Sequence, residues 1–213
     1  NEIAQIRKLS LWIFFIPFIA INLCLIISQN YEFLNKTIFI VDQIGRSGFS
    51  IPYLDGSLSI SRASRTFPQF LIFKPAMVIT SLLLCAYWYK NNIIINHFKN
   101  TQFKNNGFMI FGILSAIFLI IHSLLLGIET DIIIFKFLRR VVLLSFIIFE
   151  LIAQSFLVLN FYKLKNQLLK LYNPLVLKLK LFLVSILVFV ALLSIPILIK
   201  SGNVHFKHGL EWN

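Results

Sequence analysis

Charge is what this sequence has least of. Only 13% of its 213 residues are Asp, Glu, Lys or Arg, against about 25% in a soluble domain. Hydrophobic residues make up 58%, and the mean hydropathy is +0.85. These values exclude an ordinary soluble domain. They indicate a polytopic, all-α membrane protein in which apolar runs set the architecture. Acids are scarcer still: eight Asp and Glu against twenty Lys and Arg leave a net charge of +12. No basic cluster with interleaved aromatics stands apart from the apolar runs, so nucleic acid is not an expected partner. Basic cytoplasmic loops and anionic lipid headgroups account for the excess instead.

Cysteine is nearly absent. Cys24 and Cys85 both lie inside apolar runs, which excludes a disulfide framework. HExxH, P-loop, GxSxG and GxGxxG motifs are missing. The four histidines, His97, His122, His205 and His208, form no convincing metal set. No metal and no cofactor are therefore expected. Ser59, Ser61 and Ser64 have no base nearby in sequence, and are read as satisfying loop backbone.

What is present is five apolar runs, at about 9–28, 67–89, 107–128, 141–162 and 179–199. Each is near the roughly 20 residues that cross a bilayer. Pro17 and Pro196 are tolerable in such helices. Trp12, Trp88 and Tyr89 fall near run edges, as an aromatic belt would. The first run is too long for a signal-peptide core and lacks a cleavage site, so it is read as a retained span. Residues 29–66 form the long loop. The connections at 90–106 and 163–178 are basic, and the second is expected to hold a helix on the membrane surface. All of 1–213 reads as one membrane domain. The chain starts at Asn1 and stops at "HGLEWN", so a longer parent protein is expected.

With the N-terminus inside, ten Lys and Arg fall on the cytoplasmic side and nine outside. That margin favours a cytoplasmic N-terminus only slightly.

Two ionisable residues stand well inside runs: Lys74, in "FLIFKPAM", and Glu150, with Gln154 one turn further on the same helical face. His122 joins them. Counting from the run edges puts Lys74 about 10 Å, Glu150 about 14 Å and His122 about 9 Å below the edge that bears the long loop. Three readings follow. The set forms a pocket for a lipid headgroup, with His122, Glu150 and Lys74 as candidate acid–base groups. Alternatively, Lys74 and Glu150 form an interhelical ion pair that fixes packing. Or Lys74 simply snorkels to the interface. Pro75 is expected either to kink the helix near Lys74 or to begin it. In the loop, "DGSLSISRASR" offers Arg62 and Arg65 as phosphate ligands, beside a plainer reading as solvated loop. In "ETDIIIFKFLRR", Glu129 and Asp131 face Lys136, Arg139 and Arg140; these read as ordinary interface anchors, with the rim of a pocket above His122 as the alternative.

The arrangement resembles the Frag1/DRAM/Sfk1 family, with its Cwh43-like N-terminal domain. The resemblance rests on a first span followed by a long loop with "PYLDGS" at Pro52–Ser57, then "FPQFLIF" leading into the second span, a glycine-initiated third span, and the closing "GLEWN". It matches Asp55 to the family's lumenal acid, and Glu211 and Trp212 to the pair that opens a sixth span. The resemblance implies a six-span protein with a cytoplasmic N-terminus. It implies lipid handling or sensing, related to GPI-anchor lipid remodelling or lipid asymmetry. The partners expected are membrane lipids and membrane proteins. A structural or regulatory subunit, or a lipid-remodelling enzyme using His122, Glu150 and Lys74, are the alternatives.

Overall fold

In the computed structural model the described residues are 2–30, 32, 34, 37, 51–98, 106–128, 133–165, 173–199, 208–209 and 212. They form helices and no strand. These are α1 (Glu2–Gln29), α2 (Pro52–Asp55), α3 (Ile60–Ser64), α4 (Phe70–Phe98), α5 (Gly107–Leu125), α6 (Ile133–Lys163) and α7 (Pro174–Ile199). Five of them, α1, α4, α5, α6 and α7, are long and apolar enough to cross a membrane. The chain is thus a multi-pass helical membrane protein. Helices are the natural outcome for such runs, because in lipid every backbone N–H and C=O must be paired within the segment.

The long helices pack in chain order: α1 on α4, α4 on α5, α5 on α6 and α6 on α7. Two contacts mark the ends of the bundle. Lys90 Nζ lies 2.8 Å from Glu2 Oε2, joining α4 to the start of α1. At the opposite end, Trp212 Nε1 donates to the Leu58 carbonyl at 2.6 Å. The first end is called the N-terminal side below, and the second the loop side.

The core lies between α1, α4, α5 and α6. Along α4 the buried stripe runs Phe73, Met77, Leu84, Trp88 and Ile95, at helical spacing. The facing stripe of α5 is small: Gly112, Ser115, Ala116 and Ser123 are all buried. Small residues let membrane helices approach closely. Trp88, fully buried, fills that space: a Cβ added at Gly112 would overlap its indole ring. On α7, Leu177 alone is buried among the described side chains.

Each apolar run marks one of the five helices; 67–89 begins three residues before α4 and 107–128 ends three residues after α5, and elsewhere the helices outrun the runs. α1 begins at Glu2, and α4 continues through Lys90, Asn91 and Asn92 to Phe98. Hydropathy marks where the bilayer ends, whereas a helix continues as long as its side chains pack. Asn91 is buried and donates to the Tyr87 carbonyl at 2.8 Å. The surface helix expected within 163–178 is not found among the described residues. Residues 174–178 are the first turn of α7, with Pro174 at its start and Asn173 Oδ1 accepting from Leu175 N at 2.9 Å. The rest of that stretch, 166–172, lies outside the described residues.

Two further expectations are corrected. Pro75 neither begins α4 nor interrupts it, since the helix is continuous from Phe70 to Phe98. It sits barely more than a turn inside, so its missing N–H deprives a single carbonyl near the helix start. Trp88 is not a belt residue: it is the largest fully buried side chain, while Trp12 and Tyr89 are exposed.

Candidate functional site

Lys74 and Glu150 do not pair. Lys74 Nζ sits 5.3 Å from the Phe70 ring centroid, one turn back toward the loop side. That is the snorkelling arrangement, assisted by cation–π attraction. Among the described residues the one salt bridge is Lys90–Glu2. The physical reason is height. The neighbours of Glu150 include Trp88, 14 residues along α4 from Lys74 and so about 21 Å further down the axis. The run-edge count went astray because α6 begins at Ile133, eight residues before its apolar run.

Glu150 is instead the centre of a polar locus in the N-terminal-side half. Ser115 Oγ of α5 lies 2.7 Å from its Oε2, and Gln154 Nε2 donates to Oε1 at 3.0 Å. Ser115 Oγ is also 2.8 Å from the Gly112 carbonyl, so its single proton serves one acceptor at a time. From α4, the buried Trp88 Nε1–H faces the carboxylate and acts on it as a donor, outside strict hydrogen-bond geometry. From α7, Lys180 is near enough to act electrostatically on Glu150 without forming an ion pair. Its ammonium donates to Tyr87 Oη at 3.2 Å and lies 6.0 Å from that ring's centroid. Four helices therefore bring Tyr87, Trp88, Ser115, Glu150, Gln154 and Lys180 together.

Gln154 stands where the sequence put it, one turn from Glu150. The other members were missed for identifiable reasons. Lys180 counts among the cytoplasmic-side cations at the edge of the fifth run, Trp88 counts as a belt residue, and Ser115 carries no signal of its own. The small-residue spacing of Gly112 and Ala116 was the available signal for a close helix contact on that face.

The remaining candidates are spread along the bundle. Ser115 and His122 are seven residues apart on α5, so His122 lies about 10 Å toward the loop side of the Glu150 locus. It rests against Arg139 of α6, with Nδ1 buried and without a hydrogen-bond partner. His122, Glu150 and Lys74 do not converge on one reacting point. Arg139 itself stacks on Phe135, with 5.9 Å to the ring centroid. Glu129 and Asp131 lie outside the described residues.

The loop side combines local caps with contacts from the last residues of the chain. Pro52 opens α2, and Gly56, at φ 59°, closes it in the left-handed conformation that glycine adopts freely. Asp55 is exposed and accepts from Ser57 N at 2.9 Å and Ile51 N at 3.3 Å. The Ser57 N–H holds its carboxyl below the usual carboxylate range. Ser59 caps α3 by accepting from Arg62 N at 3.2 Å. Arg62 is exposed, while Arg65 has a buried Nε without a partner, and its carbonyl would meet a Cβ at Gly127. Arg62 and Arg65 thus sit on α3 and its cap rather than in a loose loop. Trp212 packs edge-on to Tyr53, with ring centroids 5.0 Å apart, and His208 Nδ1 lies 3.1 Å from the Gly56 carbonyl. Glu211 and His205 lie outside the described residues. Cys24 is buried with Sγ 3.4 Å from the Gln69 carbonyl, and both cysteines are free.

Comparison with known protein families, curated proteins and solved structures finds no match to this chain.

Proposed function

We propose that this chain is a lipid-handling or lipid-sensing membrane protein of the Frag1/DRAM/Sfk1 type, and that Glu150 is the centre of its lipid site. One observation carries the reading: a carboxyl group at membrane depth, surrounded by polar groups from four helices, among them a buried indole N–H that faces it. Intramembrane ionisable residues are costly, and those that persist face a partner or a site. Glu150, Gln154 and Lys180 are half-buried, so part of each faces out of the bundle. At that depth the molecule outside is lipid. The N-terminal side is assigned to the cytoplasm, in keeping with its slight cation excess.

The test is native mass spectrometry of the gently purified chain. Retained phospholipid supports the reading, and its absence overturns it. A second reading has its own observation: Ser115 and Gln154 already occupy both Glu150 oxygens, as in a structural clasp between α5 and α6. A clasp loses folding yield when Glu150 becomes Gln and recovers when Ser115, Glu150 and Gln154 all become apolar. A lipid site keeps its fold in Glu150→Gln and loses lipid.

A further inference from the structure

The charges at this locus have a feature that helix packing does not require. Glu150 and Lys180 are opposite in sign and near one another, yet each is satisfied by neutral groups rather than by the other. A carboxylate offers about four acceptor sites. Two of those on Glu150 are used, by Ser115 and Gln154. An ammonium offers three donors, and Tyr87 takes one from Lys180. The Trp88 Nε1–H, 0% exposed, faces Glu150 and occupies a third acceptor site on it. The spare capacity is thus an acceptor site on a negative charge, and donors around a positive charge displaced from it.

That is the complement of a zwitterion. We infer that the locus takes the phosphoethanolamine headgroup of a phospholipid, with the primary ammonium on Glu150 and the phosphate on Lys180. This rests on reading Glu150 as a lipid site, and names its ligand. Choline fits less well, because a quaternary ammonium has no N–H for the free carboxylate lone pair. Headgroups with net negative charge fit less well too, since they bring an uncompensated anion beside Glu150.

The experiment is competitive native mass spectrometry of the full chain equilibrated with equimolar phosphatidylethanolamine, phosphatidylcholine and phosphatidylglycerol. The expected result is about tenfold preference for phosphatidylethanolamine over phosphatidylcholine, the scale of one charge-assisted hydrogen bond set. Glu150→Gln is expected to bring that ratio close to one. Lys180→Gln is expected to lower retention of both lipids while leaving their ratio intact. A second arm needs no variant: wild type with mono-, di- and tri-N-methylated phosphatidylethanolamine should lose retention stepwise as N–H donors are removed. Equal retention across the methylated series, or a ratio unmoved by Glu150→Gln, overturns the assignment while lipid binding itself stands. No retained lipid of any class overturns both.

Discussion

The two halves of the bundle handle buried polarity differently. On the loop side the polar groups are held in separate pairs, near or far in sequence: Asp55 with Ser57, the Arg62 N–H with Ser59, Lys74 with the Phe70 ring, Trp212 with the Leu58 carbonyl. In the N-terminal-side half, Glu150 gathers groups from four helices, and its nearest partner outside α6 is 35 residues away. The difference teaches where function can be sought. A separate pair can be cut alone, with local effect. A shared network fails together, and a network with unused donors has room for a ligand.

The largest effect is expected where the network depends on space. Gly112→Ala places a Cβ inside the Trp88 ring, and is expected to cost about 1–3 kcal/mol by overpacking. Thermal unfolding in detergent checks this, and an unchanged midpoint would mean that Trp88 moves aside freely. Trp212→Phe comes next. It keeps a ring against Tyr53 but removes the Leu58 hydrogen bond, with an expected loss of about 1 kcal/mol. Hydrogen exchange should quicken across 51–64 and stay unchanged near Ser115. Faster exchange in both regions would erase the contrast between the halves.

Lys74→Met is expected to alter stability by less than about 0.5 kcal/mol, because its one described contact is a half-exposed cation–π stack. A large loss would restore the ion-pair reading. The smallest effect belongs to Asp55. Its folded-state pKa is depressed, so its contribution is present above the ordinary carboxylate range and is lost as pH falls through the folded value. Protection at Ser57 N, relative to the intrinsic exchange rate at each pH, should therefore fall on acidification in wild type. In Asp55→Asn that protection should be low already, and insensitive to pH over that window.

The crossings were legible because hydropathy reports the bilayer directly, and each of the five runs marks its own helix. Glu150 and Gln154 were legible as a polar pair because their spacing is a property of one helix. Their partners were not. Whether Ser115 or Lys74 stands level with Glu150 depends on where each helix begins, and α6 starts well before its apolar stretch. Trp88 looked like a belt residue because it ends an apolar run, and only the space left by Gly112 makes it core. Asp55 was legible as a distinctive loop acid, but its caps on Ile51 and Ser57 appear only with the turn itself.

The central claim is that the lipid site is built on Glu150 and not on Lys74. The most direct measurement compares phospholipid retained by wild type, Lys74→Met and Glu150→Gln in one native mass spectrometry series, with equal folded yield confirmed by gel filtration. The account predicts that Lys74→Met holds the same lipid as wild type, and that Glu150→Gln loses its preference for the ethanolamine headgroup. Loss of lipid in Lys74→Met, with retention unchanged in Glu150→Gln, would contradict it.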